Sequence, residues 1–172
     1  NDRVTLTSNF GIIEMETLNW DAPISAANFL SYVNAGYYNN VIFHRTIDDF
    51  MIQTGWLELV GENTVNAKTP NDPIFNESRN GVANDRGTVA MARTSSPHSA
   101  SAQFFINQKN PNNSFLNYDF DDEEEGYAVF ARVLRGMEIV DEIAGLPTSR
   151  VNGIGNDVPN EIVLIESLQT TE

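Results

Sequence analysis

One arginine stands among residues that would otherwise read as strand and core. Between Val41 and Gly55 the chain runs Val-Ile-Phe-His-Arg-Thr-Ile-Asp-Asp-Phe-Met-Ile-Gln-Thr-Gly. β-Branched and aromatic residues fill Val41 to Thr46, Ile47-Asp48-Asp49 supplies turn chemistry, and a second apolar run begins at Phe50. Two strands joined by a tight reversal are predicted. Strand alternation sets Arg45 on the face of Val41 and Phe43, with Phe50, Met51 and Gln53 across the turn, and sets His44 on the opposite face. A permanently charged guanidinium in such company needs a partner or a task.

Other chemistry is poorly represented. The two histidines lack a paired nucleophile motif, and neither G-x-S-x-G nor H-E-x-x-H occurs. His98 sits in a Ser/Pro loop and reads as solvated; His44 reads as buried or at a rim, with its hydrogen bonds satisfied. Asp119, Asp121 and Glu123 have near-correct spacing for a calcium loop, but Glu124 stands where the required glycine belongs, so a solvated acidic loop is expected. Gly153-Ile154-Gly155 lacks the third glycine and the preceding strand of a dinucleotide site. With no cysteine in the chain, thiol catalysis and cysteine-based metal sites are excluded. No metal and no cofactor is expected.

A second stretch, Gly87 to Asn107, reads Gly-Thr-Val-Ala-Met-Ala-Arg and ends Ser-Ala-Gln-Phe-Phe-Ile-Asn. Taken with the first, it resembles the cyclophilin family of peptidyl-prolyl isomerases. Phe43-His44-Arg45, Phe50-Met51-Ile52-Gln53, Met91-Ala92 and Gln103-Phe104-Phe105 carry the resemblance, which extends from Val4 to about Leu168. It implies a closed eight-stranded antiparallel barrel with a helix over each end and a binding groove on its outer wall. Arg45 is then the catalytic residue, Phe50, Met51, Phe105 and Leu116 form the proline pocket, and Gln53 and Gln103 orient Arg45 and the peptide. The Ala92-Arg93 backbone pairs with extended substrate. Phe115 and Tyr127 stand where eukaryotic members commonly have tryptophan and histidine, as in bacterial members. The missing indole N–H removes a donor used by cyclosporin, so weak cyclosporin binding is expected. The turn usually written Pro-Gly is Asp48-Asp49 here; either carboxylate would compete with substrate if it paired with Arg45, or favour basic peptides if it faced solvent.

The implied chemistry suits a chain without a nucleophile. Amide resonance sets a barrier of about 18 to 20 kcal/mol to rotation of an Xaa-Pro bond. A guanidinium that donates to the prolyl nitrogen or a neighbouring carbonyl stabilises the twisted state more than the planar one. Uncatalysed isomerisation takes ~10 to 100 s, so turnover near ~100 s⁻¹ requires about 4 to 5.5 kcal/mol. One charge-assisted hydrogen bond supplies about 1.5 to 3 kcal/mol. The remainder must come from fixing the proline ring in a dry apolar pocket while the flanking peptide turns.

The elements that must position these residues follow from periodicity. Val4 to Ser8 and Ile12 to Leu18 read as a hairpin in which Ile13, Met15 and Thr17 share one face. Pro23 opens a helix with Ala26, Phe29, Leu30 and Val33 on one side and Gly36 as its stop. From Trp56 to Asn84 the pattern fails and a long excursion is expected. Thr88 to Arg93, Gln103 to Asn107, Tyr127 to Leu134 and Ile162 to Leu168 read as strands, and Met137 to Ala144 as a short helix. About eight strands without βαβ alternation favour an antiparallel barrel.

At 172 residues one domain is expected, residues 1–172, burying roughly 70% of its unfolded surface. The net charge of -14, with Lys68 and Lys109 the only lysines, argues against nucleic-acid binding. No apolar run suggests a membrane span. Proline-containing peptides and folding proteins are the expected partners of a monomer. From the absence of an initiator methionine and of cysteine, with the resemblance to short bacterial forms, a periplasmic location is expected, the cytoplasm being the alternative. A non-catalytic module gripping proline-containing segments is the competing reading, and Arg45 favours the enzyme.

Overall fold

In a computed structural model, which describes residues 1–171, alternation in the first hairpin decides what enters the core. β1 (Arg3–Ser8) buries Val4, Leu6 and Ser8, and β2 (Gly11–Thr17) buries Ile13, Met15 and Thr17, while Ile12, Glu14 and Glu16 face outward. The following strands are β3 (Val41–Ile47), β4 (Met51–Leu59), β5 (Val65–Ala67), β6 (Thr88–Met91), β7 (Phe104–Asn107) and β8 (Val129–Arg135). The last three are β9 (Thr148–Val151), β10 (Gly155–Pro159) and β11 (Ile165–Thr171). Eight of them form one antiparallel path, β11-β1-β2-β8-β6-β7-β4-β3, with β5 paired onto β4. Among the described residues β9 and β10 pair only with each other.

The path curls without closing, which corrects the expectation of a closed barrel. Between β3 and the residues entering β11 there is one isolated bridge, Ile42 to Leu164. Two backbone bonds accompany it, Phe43 N–H to Val163 O at 2.9 Å and Asn40 N–H to Ile165 O at 2.8 Å. The register of β3 on β4 shifts twice, and such bulges bend a strand so that its free edge cannot run a full ladder. The result is a mainly β half-barrel of eight strands with two helices.

Two helices cover the curled sheet. α1 (Pro23–Asn34) buries Ala26, Phe29 and Val33 as its spacing predicts; Leu30 is half-buried. Phe29 meets Phe104 and Phe130 at centroid distances of 5.3 and 5.0 Å, tying the helix to β7 and β8. Ala22 precedes α1 and offers no capping side chain, so Glu77 supplies one: its carboxylate accepts from Ile24 N (3.0 Å), Ser25 N (2.7 Å) and Ser25 Oγ (2.6 Å). The excursion expected at 56–84 is therefore folded back onto the body. α2 (Met137–Ala144) buries Val140, Ile143 and Ala144. Among the described residues no helix is long and apolar enough to cross a membrane.

Candidate active site

Arg45 reaches the outer face of the sheet through a bulge. Phe43 pairs with Thr54 and Arg45 with Gln53, so His44 is an extra residue on β3. Phe43 stays in the core at 1% exposure, whereas Arg45 turns outward beside Met51 and Gln53. Uninterrupted alternation would have kept Arg45 on the face of Phe43 and His44 opposite. That expectation is corrected: His44 and Arg45 line the same outer cleft.

A cavity of about 140 Å³ lies in front of the guanidinium, lined by Arg45, Phe50, Met51, Gln53, Ala92, Arg93, Phe105, Leu116 and Tyr127. Its apolar floor is built by alternation. In β4 and β7, Met51 and Phe105 face outward while Ile52, Phe104 and Ile106 enter the main core. Met51, Ala92, Phe105 and Leu116 join Ala90 and Val129 in a second apolar cluster, with Phe50 and Tyr127 packed on it. Phe115 does not line the cavity; it is 70% exposed at the rim, with its ring 5.6 Å from that of Phe50.

Side-chain bonds orient the arginine. Arg45 Nη1 donates to Gln53 Oε1 at 3.5 Å, a long contact, and Gln53 Nε2 donates to Gln103 Oε1 at 2.9 Å. Gln103 thus acts from behind the cavity. The guanidinium carbon lies 6.0 Å from the Phe50 ring centroid. Among the described residues no carboxylate lies within 4.0 Å of the Arg45 nitrogens. Asp48 instead accepts from Gln108 Nε2 at 3.5 Å, and Asp49 sits 3.9 Å from Lys109 Nζ.

Arg93 serves the opposite wall. Its Nε donates to Gly126 O (2.9 Å), Nη2 to Glu125 O (2.7 Å) and Nη1 to Thr94 O (2.9 Å), and its guanidinium lies 4.4 Å from the Tyr127 ring centroid. Ala92 N–H donates to Gln103 O at 3.0 Å. One residue on, the backbone N–H and C=O of Arg93 have no protein partner among the described residues, leaving an open edge beside the cavity.

His44 is 5% exposed, with its ring edge-on to Trp56 at 5.3 Å. Its Nδ1 has no partner, which corrects the expectation that its hydrogen bonds are satisfied. Burial lowers its pKa to about 4, and the Arg45 charge adds to that effect while Gln103 opposes it. The ring is neutral at pH 7. His98 is exposed, as read, yet its Nδ1 accepts from Asn76 N at 3.0 Å and its ring stacks on Phe75.

Four buried asparagines hold the cavity walls, and the sequence offered Asn76, Asn84 and Asn113 only as loop residues and Asn107 as the end of a strand. Asn84 Nδ2 donates to Leu116 O and Tyr127 O, each at 3.2 Å; Asn76 Nδ2 donates to Gly126 O, and Asn113 Nδ2 to Phe50 O, each at 3.0 Å. Asn107 Nδ2 donates to Asn84 Oδ1 at 3.0 Å. Their signal in the sequence is faint: asparagine in a loop ordinarily means a turn. Among the described residues no group of three or more His, Asp or Glu side chains is placed to hold a metal ion.

The curled antiparallel sheet, with an apolar cavity on its outer face and an arginine at the edge, is that of a known enzyme class. The model of the cyclophilin type peptidyl-prolyl cis-trans isomerase/CLD family matches residues 3–170, and the chain belongs to that family of isomerases. It is 48% identical over 170 residues to peptidyl-prolyl cis-trans isomerase B of Escherichia coli (strain K12), covering 98% of this chain and 99% of that one. It is 50% identical over 169 residues to a peptidyl-prolyl cis-trans isomerase of Acinetobacter baylyi, covering 98% and 85%. The fold is shared with a Cryptosporidium parvum cyclophilin type peptidyl-prolyl cis-trans isomerase crystallised in the presence of the dipeptide ala-pro. That match has a TM-score of 0.74 at 23% identity and covers 99% of both chains.

Proposed function

We propose that the cavity holds the proline ring of an Xaa-Pro segment while Arg45 stabilises the twisted imide, with no bond made or broken. The observation that carries this is the guanidinium itself: it borders the apolar cavity, is oriented by an amide pair, and has no carboxylate partner within 4.0 Å among the described residues. Among the described residues its other donors have no protein acceptor, which leaves them free for a ligand. Phe50, Met51, Phe105 and Leu116 fix the ring, and Tyr127 closes the far side. The open backbone of Arg93 lies just past the end of β6, where a substrate strand gains main-chain bonds. That the Cryptosporidium parvum structure of the same fold was determined in the presence of the dipeptide ala-pro supports proline-containing ligands.

Rotation then needs only differential stabilisation. In the planar amide the nitrogen lone pair is delocalised and a poor acceptor; as the bond twists, the lone pair localises and a nearby cation gains most at that point. The apolar floor keeps water from screening the interaction. The enzyme works as one domain on proline-containing stretches of folding proteins, and Phe115 in place of an indole makes cyclosporin a weak ligand. Exchange spectroscopy on a short Xaa-Pro peptide tests the reading: substoichiometric enzyme must raise the cis/trans exchange rate by orders of magnitude. Unchanged exchange would end it.

A further inference from the structure

Beyond Tyr127 the proline cavity continues into an aromatic groove. The groove has a volume of about 470 Å³, and Tyr127 lines both spaces. Its apolar members are Phe115 and Phe120, 70% and 62% exposed, with Tyr118 below, whose ring meets that of Phe120 at 4.8 Å. Two large exposed rings beside one cleft are an uncommon use of surface unless something covers them. The phenylalanine pair is also joined to the cavity directly, because Phe115 packs on Phe50.

Charge decides what fits there. Asp121 and Glu124 line the same groove, and among the described residues neither has a Lys or Arg nitrogen within 4.0 Å. The neighbouring guanidinium of Arg79 lies over the Tyr118 ring at 5.4 Å, not on these carboxylates. The groove is built before anything binds. Asp119 and Glu124 exchange backbone bonds of 2.9 and 3.1 Å, Tyr127 N–H donates to Leu116 O at 2.8 Å, and Arg93 ties down the carbonyls of Glu125 and Gly126. Exposed ring faces and unpaired carboxylates attract the same kind of group.

We infer that this groove is a specificity subsite for a lysine or arginine side chain near the proline of the substrate, its alkyl stem on Phe115 and Phe120 and its cation between Asp121 and Glu124. This rests on the proposed use of the adjoining cavity and adds a preference for basic sequence to it. A snorkelling Lys or Arg matches both halves of the groove, apolar along its length and charged at its tip.

The test uses exchange spectroscopy on Xaa-Pro peptides that differ at one flanking position, Lys, Gln or Glu, scanned on both sides of the proline. At low salt kcat/KM is expected to be about five- to tenfold higher for Lys than for Glu at one flanking position. The ratio should shrink at roughly 0.5 M salt, where screening shortens to a few ångströms. The double variant Asp121→Asn, Glu124→Gln abolishes the preference and leaves the Gln peptide unchanged, and Phe120→Ala weakens it. A charge-matched control, Glu142→Gln with Glu166→Gln, keeps it. Equal rates for Lys and Glu peptides, or a preference that survives the Asp121/Glu124 change, would overturn the inference. The Gln peptide separates the two claims: if the parent does not accelerate even that peptide, the catalytic reading has failed; if it does and no preference appears, only the subsite has.

Discussion

Gln53 Nε2 donates to Gln103 Oε1 at 2.9 Å, and the amide oxygen of Gln53 is left to accept from Arg45 Nη1 at 3.5 Å. The amide of Gln103 therefore fixes which way Gln53 presents its acceptor, and Gln53 in turn limits where the guanidinium can point. Gln53→Ala is expected to lower kcat about three- to tenfold, the worth of one hydrogen bond, with a smaller change in KM. Steady-state rates on a single Xaa-Pro peptide check this. An unchanged kcat would mean that Arg45 needs no orienting partner.

His44 makes stability depend on pH in a defined direction. Its folded pKa of about 4 lies below the ordinary value of 6.5, so the unfolded chain binds the proton more readily between those values. Stability is complete above about pH 6.5 and is lost as pH falls towards 4, by on the order of 3 kcal/mol in all. The difference in urea midpoints between the parent and His44→Gln, followed across that range, isolates the effect from the general loss of negative charge. A constant difference would contradict it.

Asp49 carries a φ of 56°, a left-handed conformation that suits glycine. Among the described residues its one ion pair is the 3.9 Å approach of Lys109, between side chains too exposed to contribute much. Asp49→Gly is expected to stabilise the chain by about 0.5 to 1 kcal/mol, visible as a Tm rise of roughly 2 °C. Calorimetry reads it directly, and a fall in Tm would show that the turn depends on the aspartate.

The exposed rim position of Phe115 permits a larger ring without repacking. Phe115→Trp restores an indole N–H and should tighten cyclosporin binding about fivefold or more while leaving turnover within about twofold. Titration calorimetry on both proteins decides. Submicromolar binding by the parent would refute the expectation of a weak ligand.

What the chain disclosed before its structure depended on periodicity. β1, β2, α1 and α2 alternate or repeat cleanly, and their predicted bounds fall within a few residues of those observed. The hairpin of β9 and β10 went unread because its residues are largely exposed and show no alternation. β5 is only three residues long and sits inside a stretch rich in turn formers. At the site, Phe50, Met51, Gln53, Ala92, Phe105 and Leu116 line one cavity. The bulge at His44 was not legible, because an extra residue in a strand leaves no mark in composition. Nor was the work of Asn76, Asn84, Asn107 and Asn113, whose partners are backbone carbonyls and other asparagines, most of them more than twenty residues away.

The role of Arg45 is tested most sharply by kcat and KM for Arg45→Ala and Arg45→Lys against the parent on one Xaa-Pro peptide. Loss of the guanidinium is expected to cost about 1.5 to 3 kcal/mol in the transition state, a fall in kcat of roughly 10- to 150-fold with KM little changed, since the apolar floor still holds the ring. Lysine should recover only part of it, lacking the planar fork. If kcat stays at the parent value in Arg45→Ala while KM rises, Arg45 binds substrate without easing its rotation, and the proposed mechanism is wrong.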